Sequence, residues 1–183
     1  MSGMDRLVNI HLNHNQMKGP LPEGLSSLKH VRLIKLGGNK FTGTIPAGWF
    51  DESKPLVLLD LGGIEGITGT LPTEVGSVGA TLEDLRLEGN LLSGALPAEM
   101  GKLSQLRTCF LNGNKFTGTI PSELSGMIQV ENIRFHGNQL TGSMPSSICA
   151  IEKEFEAQKN KQMLISADCK TGSITCDCCH KCY

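Results

Sequence analysis

The chain has 183 residues, a formal net charge of −1, 39% hydrophobic content and only 4% aromatics. No segment is basic enough to grip a phosphate backbone, which excludes nucleic acid as a partner. No apolar run approaches the roughly 18–20 residues that span a bilayer, and the opening stretch MSGMDRLVNIHLNHN lacks the apolar core of an export signal.

Taken in chain order, the sequence repeats itself. A Gly-x-x-Pro pair recurs at Gly19/Pro22, Gly43/Pro46, Gly69/Pro72, Gly94/Pro97, Gly118/Pro121 and Gly142/Pro145, with successive prolines 24, 26, 25, 24 and 24 residues apart. Ahead of the pairs lie segments such as VRLIKLGGN (Val31–Asn39), LEDLRLEGN (Leu82–Asn90), LRTCFLNGN (Leu106–Asn114) and VENIRFHGN (Val130–Asn138). In each, two apolar residues flank one outward residue, the pattern of a short strand with one buried face. The inward pairs are Ile10/Leu12, Ile34/Leu36, Leu59/Leu61, Leu85/Leu87, Cys109/Leu111 and Ile133/Phe135.

The Asn that follows has an amide able to donate to and accept from neighbouring backbone. Asn15, Asn39, Asn90, Asn114 and Asn138 are predicted to form a ladder along the stack. Gly then permits a backbone conformation closed to other residues, and Pro fixes φ where the extended stretch ends. A convex return follows, with apolar residues three apart: Leu25/Leu28, Val75/Val78, Met100/Leu103, Leu124/Met127 and Ile148/Ile151. One coil cannot bury its own apolar side, so coils must stack. The third departs from the pattern. It carries an insertion at Asp51–Pro55, Ile64 at the Asn position and one extra residue before Gly69, and a break in the ladder is expected there.

These residues resemble the plant-type leucine-rich repeat, L-x-x-L-x-L-x-x-N-x-L-[TS]-G-x-[IL]-P, from about Leu7 to Ile151. The resemblance implies an α/β repeat fold, a right-handed solenoid of about six 24-residue repeats with parallel strands on its concave face. Residues 1–151 form the solenoid on this reading, and 152–183 a helical and cysteine-rich cap. The same resemblance covers receptor-kinase ectodomains and secreted inhibitors alike, so it implies recognition without fixing a ligand.

Recognition in a solenoid sits on the strand face. Its central outward column is His11, Lys35, Asp60, Arg86, Phe110 and Arg134, and the column after it is Asn13, Gly37, Gly62, Glu88, Asn112 and His136. The preferred candidates are Asp84, Arg86, Glu88, Phe110, Asn112, Arg134 and His136, joined by Lys35 and Asp60. Arginine and aromatic groups in mid-face are the usual anchors of protein recognition. Six strands give a face about 25–30 Å long, suited to a peptide, a glycan segment or a small protein surface. No residue is assigned as catalytic. The histidines and carboxylates pair with no nucleophile, and neither a phosphate-binding loop nor an H-R-D or D-F-G segment is present. No cofactor is implied.

Beyond Ile151 the pattern changes. EKEFEAQKNKQM (Glu152–Met163) is charged and free of Gly and Pro, which predicts a helix. Leu164 and Ile165 are placed to cover the last coil. Cys149, Cys169, Cys176, Cys178, Cys179 and Cys182 read as disulfide partners, with Cys109 a free core thiol. Six cysteines allow 15 connectivities, none chosen by sequence. Zinc is the alternative, through Cys179-x-x-Cys182 with Cys169 and Cys176. The crowding of C-D-C-C fits poorly with two spaced knuckles, however, and no metal is assigned. The tail resembles the cysteine-rich cap of leucine-rich-repeat proteins of diatom-type algae, which implies a secreted or cell-surface protein. Disulfides need an oxidising compartment. The expectation is therefore that Met1 is not the native start and that a signal peptide belongs to sequence outside this chain, where a membrane tether has its place too; a fragment of a receptor kinase is one rival reading. The other rival reading is an intracellular scaffold with a reduced or zinc-binding tail.

Overall fold

A computed structural model of the chain describes residues 6–159, 163–170 and 172–183. The first coil holds strands β1 (Asn9–His11) and β2 (Lys18–Pro20), and the second β3 (Leu33–Lys35) and β4 (Lys40–Thr42). The third holds β5 (Leu58–Asp60) alone. The fourth carries β6 (Asp84–Arg86) and β7 (Ser93–Ala95), and the fifth β8 (Thr108–Phe110) and β9 (Lys115–Gly118). The sixth carries β10 (Asn132–Arg134), β11 (Gln139–Leu140) and β12 (Gly142–Ser143). Helix α1 (Ser146–Lys159) and strands β13 (Leu164–Ala167), β14 (Ile174–Thr175) and β15 (Lys181–Cys182) follow.

The concave sheet is parallel throughout, in the order β1-β3-β5-β6-β8-β10-β13-β15. Its register puts Ile10, Ile34, Leu59, Leu85, Cys109, Ile133 and Ile165 in one inward row. From Ile34 to Ile165 that row is at most 1% exposed. This is the apolar spine implied by the alternating pattern. Leu12, an inward residue by sequence, is instead 40% exposed, because no described coil lies on its outer side.

Pro22, Pro46, Pro72, Pro97 and Pro121 each stand at the head of a 3-10 turn, and the proline carbonyl accepts the turn's first hydrogen bond, as from Trp49 N to Pro46 O at 3.1 Å. These turns stack on the convex side, burying Leu25, Val75, Met100 and Leu124. The stacking is tight. A Cβ on Gly126 would lie 2.0 Å from the Gly101 carbonyl oxygen, so only glycine fits there.

The ladder forms between coils. Asn39, Asn114 and Asn138 each donate from Nδ2 to the carbonyl of Leu12, Leu87 and Leu111 in the preceding coil, and to that of Leu36, Leu111 and Phe135 in their own. Their Oδ1 atoms accept from Met17 N, Leu92 N and Phe116 N. The break expected at the third coil is present. Ile64 is buried as a plain core residue, Asn90 donates to Leu61 O and Leu87 O, and its Oδ1 finds no partner. The side sheet is interrupted at the same level, with a single bridge, Gly43 to Ile67, between β4 and the strands β7-β9-β11. Asn15 corrects the ladder at its first rung. It is exposed and donates only locally, to Leu12 O and Asn13 O.

The insertion Asp51–Pro55 contains a surprise. Lys54 is 3% exposed, and its ammonium donates to Gly48 O at 2.7 Å and Leu25 O at 3.3 Å, above the buried Trp49 and Phe50. Burial lowers its pKa.

The helix also starts earlier than the composition of 152–163 suggests. α1 begins at Ser146, because the last coil replaces its 3-10 turn by a full helix that buries Ile148. Residues 160–162 of that expected helix lie outside the described residues. The tail then covers the last coil through β13, with Leu164 level with Asn132 and Ile165 with Ile133.

Candidate functional site: the concave face

Because the columns follow sheet register, the structure brings the candidate residues together in rows. The central column runs His11, Lys35, Asp60, Arg86, Phe110, Arg134 and continues into the cap as Ser166 and Lys181. Eight strands at about 4.8 Å make a face about 34 Å long, longer than the six coils alone supply.

At the centre, Phe110 lies between two arginines from neighbouring strands. The Arg134 guanidinium is 4.0 Å from the ring centroid and that of Arg86 5.9 Å. Such contacts hold flexible cations in place at a cost lower than an ion pair's desolvation. Arg86 also meets Asp84 at 3.2 Å, both partly exposed, a pair of little net stability. The Nε of Arg86, Oε2 of Glu88 and Oδ1 of Asn112 are buried without a partner among the described residues.

The carboxylates lie down rather than stand up. A Cβ on Gly37 would come within 2.8 Å of Asp60 Oδ1, and one on Gly62 within 2.6 Å of Glu88 Oε1. Each acid thus occupies the space that a glycine one coil earlier leaves open. Asp60 accepts from Gly62 N at 3.0 Å. Burial raises the Glu88 pKa, with Asp60 adding to the effect, while its own backbone N–H, Arg86 and Arg134 oppose it.

Toward the cap the character reverses. His136 stacks on Tyr183 with centroids 3.9 Å apart, and its Nδ1 is 2.9 Å from Ser166 Oγ. Burial lowers the His136 pKa. Asp168 works against this, and Arg134 and Lys181 reinforce it. Lys181 lies 5.0 Å from the Tyr183 ring. Ser166, Lys181 and Tyr183 were absent from the sequence-based candidates. The signal that could have found Ser166 was the alternation in L-I-S-A, which marks it as outward once Ile165 is placed inside.

The six tail cysteines pair as Cys149–Cys178, Cys169–Cys182 and Cys176–Cys179, and Cys109 is a buried free thiol. Cys149 sits in α1, so its bond ties the tail to the last coil. Cys169–Cys182 ties β15 to the end of β13. Among the described residues no group of three metal-ligating side chains occurs, and no helix is long and apolar enough to cross a membrane.

Residues 105–127 match the sequence profile of the family described as Leucine Rich Repeat. Receptor-like protein 39 of Arabidopsis thaliana is 30% identical over 111 residues, which is 60% of this chain and 12% of that protein. The chain spans about an eighth or less of the length of the curated relatives it matches first. Among solved structures, a plant peptide hormone receptor, RGFR1 in complex with RGF2, superposes with a TM-score of 0.79 at 31% identity over 91% of this chain and 25% of that one. A chain from the BIR3–SERK2 complex of Arabidopsis thaliana gives 0.63 at 33% identity, over 75% of this chain and 71% of that one.

Proposed function

The chain belongs to the plant-type leucine-rich-repeat proteins, and from that premise we propose that it is a non-catalytic recognition module that holds an extended peptide across its concave face, outside the cell or at its surface. The observation that carries this reading is the arrangement around Phe110. It is the only aromatic side chain in the central column, and arginines from both neighbouring strands hold it in mid-face. Aromatic and arginine groups at the centre of a patch are where binding energy concentrates. Two solved structures similar to this chain lend support: RGFR1, a plant peptide hormone receptor, in complex with RGF2, and the Arabidopsis receptor kinase HAESA in complex with the peptide hormone IDA. The three disulfides favour an oxidising compartment over the cytosol.

The test is selection of displayed random dodecapeptides on the disulfide-intact chain, followed by binding to variants. Selected peptides should lose at least about tenfold in affinity, about 1.4 kcal/mol, on Phe110→Ala. They should be indifferent to Lys40→Ala on the side sheet. Binding unaffected by Phe110→Ala but lost on substitution outside the strand face would overturn the proposal.

A further inference from the structure

The cap strands β13 and β15 do more than cover the last coil. With β10 they enclose a cavity of about 350 Å3, walled by Arg134, Leu164, Ser166, Lys181 and Tyr183. That is room for one or two side chains of a ligand.

Its charge is unbalanced. Arg134 and Lys181 both reach it, and neither has a carboxylate within ion-pair distance among the described residues. Their close contacts are ring faces, Phe110 for Arg134 and Tyr183 for Lys181. The nearby acids are committed elsewhere. Asp168 accepts from the backbone N–H of Gly137 at 2.9 Å and of Asn138 at 3.2 Å, and Glu152 faces His180 at 3.4 Å. Asp60 and Glu88 lie coils away, folded over glycines. Two cations therefore share a concave, partly apolar site without an ion pair to any carboxylate among the described residues. At its lip Leu164 is 46% exposed although it sits in a strand of the main sheet. It offers an apolar surface beside the cations.

We propose that this pocket at the junction of last coil and cap is a subsite for a carboxylate carried by an acidic peptide, with an apolar side chain of the same peptide resting on Leu164. Cation pairs bind a planar carboxylate best where Arg supplies a fork and Lys a point charge. Burial in a cleft strengthens both relative to open surface. The inference deepens the concave-face reading, since it names the chemistry of one end of the ligand.

The experiment uses small probes, so it does not depend on finding the long peptide. The disulfide-intact chain, labelled with nitrogen-15, is titrated at pH 7 with acetyl-Leu-Glu-amide, acetyl-Leu-Gln-amide and free-ended acetyl-Leu-Gln. The glutamate probe should shift the amides of Ile165–Ala167 and His180–Tyr183, with a dissociation constant on the order of 1 mM for so small a ligand. The glutamine amide should bind at least about tenfold more weakly. A response to the free-ended probe equal to that of glutamate assigns the carboxylate to a chain terminus; a response to glutamate alone assigns it to a side chain. Lys181→Gln should abolish the discrimination and Lys181→Arg should keep it. Equal shifts from all three probes, or a preference for glutamate untouched by Lys181→Gln and Arg134→Gln, overturns the proposal. Dodecapeptides that depend on Phe110 without any acid preference would leave the face reading standing and the pocket reading refuted.

Discussion

Replacing Asn114 by alanine tests whether the ladder carries stability between coils. Asn114 is 7% exposed and makes three bonds, two of them to the preceding coil: Nδ2 to Leu87 O at 2.9 Å and Oδ1 from Leu92 N at 3.0 Å, with Nδ2 to Leu111 O at 3.1 Å inside its own coil. The two carbonyls are shared, since Asn90 also donates to Leu87 O and Asn138 to Leu111 O, so each keeps one donor in the variant. The Leu92 N–H keeps none, and its residue is fully buried. An orphaned buried donor costs about 1–3 kcal/mol, and the weakened carbonyls about 1 kcal/mol more, so Asn114→Ala should cost about 2–4 kcal/mol. In urea this lowers the midpoint by about 1–2 M with an unchanged slope. Asn15→Ala is the control. That residue is exposed and bonds only within its own turn, so its loss should cost under about 1 kcal/mol. Asn90→Ala should fall between, because its Oδ1 has no partner to lose. Equal costs for Asn15 and Asn114 would refute the claim that the inter-coil bonds matter.

Three other outcomes are expected. Alkylation of the native, unreduced chain with a chelator present should label no cysteine. Unfolding without reductant should expose one thiol, Cys109, whose pKa burial pushes up to about 12. Labels on the tail cysteines, counted by intact mass, would refute the disulfide cap. Removing bonds one at a time should destabilise in order of the loop each closes: about 3–4 kcal/mol for Cys149–Cys178, about 3 for Cys169–Cys182 and about 2 for Cys176–Cys179, by chain entropy alone. Thermal unfolding of the serine pairs checks that order. Burial depresses the Lys54 pKa, so the unfolded chain holds that proton more tightly. Stability should therefore rise as pH climbs from the lowered pKa to the ordinary 10.5, and be lost again as pH falls back through the lowered value. Lys54→Met should flatten that alkaline rise relative to the parent, and a curve parallel to the parent's would show the ammonium is not buried in solution.

The solenoid was legible because its rule is local. Alternation and the Gly-x-x-Pro spacing fix register coil by coil, so the outward columns could be written down before any coordinates. What was hidden arises between coils or outside the repeat. Ser166 and Lys181 belong to strands of four and two residues without the L-x-L-x-x-N frame, and β15 is joined to the end of β13 by strand pairing and by Cys169–Cys182. Lys54 was invisible because a lysine in a charged insertion reads as solvated, and only carbonyls from two coils make its burial tolerable. The posture of Asp60 and Glu88 depends on which residue stands one coil earlier, and glycine there is what lets them fold flat.

That posture bears on how the face works. By sequence the C-terminal half is mixed in charge, with Asp84, Glu88, Arg86 and Arg134 nominally cancelling. In the fold the cancellation is local to the acid side. Asp84 neutralises Arg86, Asp60 is turned onto backbone, and burial with a neighbouring Asp60 favours the neutral form of Glu88. Arg134 and Lys181 form no ion pair among the described residues, and burial lowers the pKa of His136, whose ring stacks on Tyr183. The face is therefore polar and near neutral over its first coils, aromatic at Phe110 and cationic at the cap. On the proposed reading such a gradient gives an extended ligand a direction, since a peptide reversed end to end would place its acid over the near-neutral first coils instead of Arg134 and Lys181. Direction of this kind is a difference between two orientations, and here the difference comes from the attraction that only the cap end supplies.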